Sequence, residues 1–461
     1  MNVISKNKKL GISIIIVVFT IVNSVFTPSL ASGQDSSFIP EDFSTYSRGV
    51  YMINAETGAA VYAKSAEKHM YPASLTKLFT AAIVFEKCED PEKELVTVPS
   101  ISGMFDEIYK VGGANIALKA GETLTVKDLL YAMMIPSACD AALVLAYHFG
   151  DKSVSKFVAM MNEYAAKIGA ENSHFDNPHG LQSDEHYSCP KDVLLVIERL
   201  LEVPLFKEII SCRSYVIPKT EKSAARTVRS TIEMLSSTSP DYYEYATGIK
   251  TGFTAKAGRC LSTMAEKDGA TYILVMFGAN LDQPPMSKTQ RNLCYEDAKN
   301  LFNYMFDNYE LKNVLSPENA CGSVAVTNGK KEKVDVYPAE SVLALVPKNG
   351  SAEIKLELPE ALNAPVVPGE YGTAFVYSGG FLFGSVKLTS KDSVFASSVQ
   401  ETDPGSNVGE MIDRDNESAI RGVRRLFENP TFLVLILILI AFLTVFTTLI
   451  IISKKRNKSN Q

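Results

Sequence analysis

The sequence predicts an α/β (α+β) domain, then a small all-β sandwich domain, then a C-terminal transmembrane helix. Three observations carry this. Strand-like runs at both ends of residues 38–310 enclose segments with helical spacing. Residues 320–390 hold only short strands, and residues 432–452 are apolar without a charge.

The elements follow in chain order. Lys6, Lys8 and Lys9 precede an apolar run, and Ser29-Leu30-Ala31 offers small residues for cleavage, so residues 1–31 read as a secretory signal. Residues 49–53 and 59–63 flank a small, polar turn and read as a hairpin. Apolar residues recur at helical spacing over 74–88, with Ser74 at the N-terminal end. Residues 125–134 form a second helix, stopped by Pro136, and 138–149 a third. Residues 261–266 and 271–277 flank Lys267-Asp268-Gly269, a hairpin signal. Strand pairs at both ends with helices between them predict one antiparallel sheet built from both ends.

Beyond a polar joint at 316–319, six short strands separated by Pro, Gly and Asn make up the β domain at 320–390. Residues 391–430 are a linker and juxtamembrane segment, poor in large apolar residues up to about Ser418. The span at 431–453 is long enough to cross about 30 Å of hydrocarbon. Lys454, Lys455, Arg456 and Lys458 then place the tail, 454–461, in the cytoplasm. The folded part is thus expected outside the cytoplasm, on a single-pass anchor.

A net charge of -6 argues against nucleic acid, which needs a concentrated basic surface. No cofactor or metal is expected. His174, His179 and His186 lie close in sequence, but the turn residues 177–180 suit a structural loop. Seven cysteines without a C-x-x-C predict mostly buried free thiols. Tyr242, Tyr243 and Tyr245 read as packing residues.

Ser74-Leu75-Thr76-Lys77 matches S-x-x-K, as do segments beginning at Ser5, Ser65, Ser153 and Ser188. Context singles out Ser74. One helical turn puts Ser74 and Lys77 on one face, and the apolar helix would bury the lysine stem. Desolvation disfavours the ammonium, and a neutral amine can take the serine proton. The backbone N–H groups of a helix start are near a developing oxyanion. Lys250-Thr251-Gly252 occurs once, in an apparent strand. Its lysine and hydroxyl can hold a carboxylate, and its glycine admits a ligand to the backbone. Ser137, in the break after Pro136, is placed to relay a proton between Lys77 and a leaving amine. The order Ser/Lys helix, loop Ser, Lys-Thr-Gly strand is that of penicillin-recognising serine enzymes.

Residues 71–80 (YPASLTKLFT), 128–142 (DLLYAMMIPSACDAA), 177–181 (NPHGL) and 247–261 (TGIKTGFTAKAGRCL) resemble the low-molecular-mass penicillin-binding proteins, the serine-type D-Ala-D-Ala carboxypeptidases. The resemblance covers about 45–310, and the β domain looks like that family's C-terminal domain. It implies a serine β-lactamase/transpeptidase-like fold and a bacterial cell-membrane location. It implies that Ser74 is acylated by the penultimate D-alanine of a peptidoglycan stem peptide, with Lys77 as base and Ser137 as relay. Lys250 and Thr251 would clamp the terminal carboxylate, and the Ser74 and Phe253 N–H groups would form the oxyanion hole. β-Lactam antibiotics would be covalent inhibitors. One position departs: the family's second motif usually reads S-x-N, and here it is Ser137-Ala138-Cys139. A thiol replaces an amide that both donates and accepts, which predicts altered turnover or substrate choice. That departure keeps a second reading open, a penicillin-binding sensor with little turnover. A β-lactamase lacks support, because no Glu-x-x-Leu-Asn segment lies between Ser137 and Lys250.

Overall fold

A computed structural model describes residues 38–40, 42–279 and 293–397. The signal at 1–31, the span at 431–453 and the tail at 454–461 lie outside the described residues, as does the linker beyond 397. No helix among the described residues is long and apolar enough to cross a membrane.

Strands β1 (Gly49–Asn54) and β2 (Ala60–Lys64) form the opening hairpin. Its turn is held by Asn54, whose side-chain oxygen accepts from the Thr57 N–H at 3.0 Å. Strands β3 (Ala246–Thr254), β4 (Gly258–Lys267) and β5 (Ala270–Ala279) form a meander. Asp268 and Gly269 both take positive φ at the β4–β5 turn, as a two-residue hairpin requires. The sheet order is β2-β1-β5-β4-β3, antiparallel throughout, so the first strand pairs with the last. One sheet built from both ends is therefore what the chain makes.

Strand β5 is buried on both faces, which explains its unbroken apolar run. Ile273, Val275 and Phe277 face a helical layer, while Leu274 and Met276 pack in a second core with α7 (Leu293–Asn308). The helical layer comprises α1 (Thr76–Lys87), α2 (Val126–Met134), α3 (Cys139–Phe149), α4 (Val154–Lys167), α5 (Pro190–Leu200) and α6 (Pro204–Ser211). Helix α1 is the centre of that layer. Every residue from Thr76 to Val84 is buried, against α3, α4 and α5. An apolar helix surrounded on all sides is a core helix, and Lys77 is the single charged side chain in that stretch.

The β domain begins directly after α7. Strand β6 (Tyr309–Leu315), at the edge expected for the first domain, pairs with β9 (Val342–Pro347). The larger sheet contains β7 (Gly322–Thr327), β8 (Lys333–Pro338), β10 (Glu353–Glu357), β11 (Ala361–Asn363), β12 (Gly369–Ser378) and β13 (Phe381–Ser390). Its order is β10-β12-β13-β8-β7-β11, with only β7 and β11 parallel. The alternating residues Val324, Val336, Val376 and Leu388 meet in one core. Among the described residues, a second unit comprises Asn328–Lys330 and residues 395–397, where Gly329 and Ala396 form an antiparallel bridge. All seven cysteines are free thiols, and Cys88, Cys139, Cys189, Cys260 and Cys294 are buried.

Candidate active site

Ser74 sits in a single 3-10 turn, Ala73–Leu75, which feeds directly into α1. The turn is strained, with Ala73 at φ 46°, and it is braced from behind. Thr76 Oγ1 donates to the Ala73 carbonyl at 2.8 Å and lies 2.7 Å from His186 Nε2. His186 Nδ1 accepts from the Asp176 N–H at 3.1 Å, so the ring proton is on Nε2 and goes to Thr76. Burial pushes the His186 pKa down to about 4, which keeps the ring neutral. Gly180 closes the brace. At φ +84° it packs where a Cβ would lie 1.9 Å from the Ala73 carbonyl oxygen, so only glycine fits.

Lys77 has no exposed surface. Its Nζ lies 2.9 Å from Ser74 Oγ, 2.7 Å from the His179 carbonyl oxygen and 3.4 Å from Cys139 Sγ. Burial lowers its pKa from the usual lysine value, and Cys139 and Asp140 only partly oppose that shift. In its neutral form the amine would donate to the His179 oxygen and Cys139 and leave its lone pair for the Ser74 hydroxyl. That is the arrangement of a base and its nucleophile.

The opposite wall comes from the break between α2 and α3. Pro136 ends α2, and Ser137 is held in the left-handed region at φ 66°. Its hydroxyl is buried without a hydrogen-bond partner among the described residues, and Ser137 lines the cleft. Cys139 lines the same cleft, 3% exposed, and reaches Lys77. Asp140 turns away, as expected. Its carboxylate accepts from the Ile116 and Leu118 N–H groups at 3.1 Å and pins that loop.

Strand β3 supplies the third wall, and it is an edge strand, last in the sheet order. Gly252 lies against the nucleophile turn: a Cβ there would be 3.1 Å from the Ser74 nitrogen and from the Pro72 oxygen. Lys250 is 1% exposed, with Nζ donating to the Thr251 carbonyl at 3.1 Å. Burial, then the nearby Lys77, hold its pKa well below the usual value. Thr251 Oγ1 lies 2.5 Å from Thr231 Oγ1. Tyr295 of α7 fixes that neighbour, donating its hydroxyl to the Thr231 carbonyl at 3.1 Å. Phe253 is 55% exposed.

Ser74, Ser137, Cys139, Thr251, Gly252 and Phe253 together line a cleft of about 730 Å³, the size of a peptide-binding site. Lys77 and Lys250 lie beneath it. All eight expected site residues are thus in one place. Thr231, the His179 carbonyl and Arg259 also belong to this region and were not anticipated. The first two act through a hydroxyl beside the clamp and a backbone oxygen, neither of which leaves a sequence signal. His179 and His186 are loop residues in this site, with hydrogen bonds inside the loop.

Comparison with known proteins gives a consistent result. The model of the peptidase S11 family, described as D-alanyl-D-alanine carboxypeptidase, matches residues 38–281. The model of the penicillin-binding protein 5 C-terminal domain matches residues 309–395. The D-alanyl-D-alanine carboxypeptidase DacF of Bacillus subtilis (strain 168) is 25% identical over 374 residues, 80% of this chain and 91% of the relative. The D-alanyl-D-alanine carboxypeptidase of Streptomyces sp. (strain K15) is 30% identical over 234 residues, 49% of this chain and 78% of the relative. Among solved structures, the Streptomyces K15 DD-transpeptidase superposes with a TM-score of 0.51 at 27% identity, covering 57% of this chain and 98% of that one. Penicillin binding protein 5 from Haemophilus influenzae has a TM-score of 0.57 at 22% identity, covering 76% and 98%, and supports the fold alone.

Proposed function

The chain belongs to the D-alanyl-D-alanine carboxypeptidase family and is a serine-type peptidase of that class, and on this premise we propose how its residues divide the work. The observation that carries the assignment is the fully buried Lys77 amine, 2.9 Å from the Ser74 hydroxyl.

Lys77 takes the Ser74 proton as Oγ attacks the carbonyl of the penultimate D-alanine of a stem pentapeptide. The Ser74 and Phe253 N–H groups receive the oxyanion, and the close approach allowed by Gly252 supports that geometry. The Ser137 hydroxyl passes the proton from Lys77 to the leaving amine of the terminal D-alanine. Lys250 and Thr251 hold the terminal carboxylate. Burial and the nearby Lys77 lower the Lys250 pKa, and a bound carboxylate would favour its charged form. Water then hydrolyses the acyl-enzyme. β-Lactams acylate the same hydroxyl.

Two outcomes for the acyl group differ in the acceptor. The 27%-identical Streptomyces K15 structure is that of a DD-transpeptidase, which favours testing an amine beside water. The Cys139 thiol in place of an amide keeps slow turnover, and hence a sensor role, in the same test. The sequence at 1–31 and 431–453 supports an exported catalytic domain on a single membrane anchor, acting outside the cytoplasm.

Intact-mass spectrometry after penicillin treatment is the test. One adduct is expected on Ser74 and none on Ser74→Ala, and an adduct on another side chain would refute the assignment. D-alanine release from a pentapeptide, with and without an added amine, then separates hydrolysis, transfer and slow-turnover sensing.

A further inference from the structure

The cleft extends past the acylation centre to a cation that the steps above leave unused. Arg259 of β4 stands opposite Phe253 of β3, and its guanidinium lies 5.6 Å from the Phe253 ring centroid. Both line the cleft that contains Ser74. The Arg259 side chain forms no ion pair among the described residues, and the lining carboxylate of Glu107 is not paired with it. Arg48, the neighbouring arginine, is committed to the Gly278 and Ala257 carbonyls. A guanidinium stacked on an aromatic face has its orientation fixed while its N–H fork stays free.

Its place along β3 selects what it meets. Lys250 and Thr251 take the terminal carboxylate, and the reacting carbonyl sits at Ser74 and Phe253. The peptide on the amino side of the scissile bond therefore runs from Phe253 onward along the edge strand. We infer that Arg259, oriented by Phe253, is a specificity residue that binds a second carboxylate, carried by the side chain of the residue preceding D-Ala-D-Ala. The inference rests on the function proposed above. A guanidinium–carboxylate contact is the bidentate kind, and at a half-buried site it favours the charged substrate by about tenfold.

The experiment uses three acylated tripeptides ending in D-Ala-D-Ala, whose first side chain ends in a carboxylate, a carboxamide or an ammonium group. D-Alanine release is measured as kcat/KM for the wild-type chain, Arg259→Gln and Arg259→Lys. The expected result is a preference of about tenfold for the carboxylate over the carboxamide in wild type. The ratio falls to about one in Arg259→Gln and is partly kept in Arg259→Lys, which retains charge without the fork. A wild-type ratio near one overturns the inference, and so does an unchanged ratio in Arg259→Gln. The wild-type ratio decides even if a variant fails to fold. Penicillin labelling of Ser74 in the wild-type chain keeps the two claims apart: label without a carboxylate preference sinks this inference alone, and no label sinks the proposed function beneath it.

Discussion

Two segments of this chain carry the same Ser-x-x-Lys spacing on the first turn of a helix and do opposite things. In the first, Ser74 occupies a 3-10 turn and Lys77 is wholly buried, 2.9 Å from the serine. In the second, Ser153 caps α4 by accepting the Lys156 N–H at 3.3 Å, and the Lys156 side chain is 63% exposed. The spacing is the same in both, but only in the first does the amine meet the hydroxyl; in the second the hydroxyl meets the lysine's backbone N–H. Burial lowers the pKa of the first amine, while the second side chain lies at the surface, 3.9 Å from Asp151. The difference lies in the third shell of structure, in what α1 packs against, not in the four residues themselves.

The comparison can be tested at several strengths. Lys77→Ala has the largest expected effect, a loss of at least about 1000-fold in the rate of penicillin acylation, while Lys156→Ala leaves that rate unchanged. Wild-type acylation rises with pH along a limb centred below the ordinary lysine value of 10.5, because the neutral amine is the active form and its pKa is lowered. Stopped-flow acylation across pH checks both statements, and a Lys77→Ala profile that keeps the limb would assign the base elsewhere. Gly180→Ala comes next. Its methyl would meet the Ala73 carbonyl, so a stability loss of about 3 kcal/mol is expected in urea unfolding, together with slower acylation. Cys139→Asn restores the amide and changes D-alanine release from a pentapeptide by about tenfold; no change would show that the thiol is an adequate partner for Lys77. The smallest effect belongs to Ser153→Ala, about 1 kcal/mol of stability from a lost helix cap, with acylation untouched.

Much of the fold was legible because its signals are local. The Lys267-Asp268-Gly269 turn, the Pro136 stop and the Pro, Gly and Asn breaks of the β domain each act within a few residues. Strand β5 was legible from its hairpin turn, and one sheet built from both ends was expected, though which strands pair across it is seen only in the structure. The site was legible for the same reason. Ser74 and Lys77 are one turn apart, and Lys250, Thr251 and Gly252 are consecutive. What escaped is tertiary. Thr231 matters only because β3 and α7 bring Thr251 and Tyr295 beside it. The His179 carbonyl matters through a backbone atom, whatever the side chain. Arg259 looks like any strand arginine until its register puts it across from Phe253. Ser153 shows the reverse error that a motif invites, since its cap role is as visible in sequence as its false catalytic match.

The sheet order has a consequence for timing. Gly49 is paired with Phe277, and the Arg48 guanidinium is bonded to a carbonyl 230 residues later. Contacts so far apart along the chain form late, after the long intervening loop has closed. The half that brings the hydroxyl and the half that brings Gly252 and Lys250 therefore meet only near the end of folding. Until β1 pairs with β5, the chain holds Ser74 and Lys77 but lacks the neighbouring strand with Gly252 and Lys250, so the cleft is complete only when the domain is.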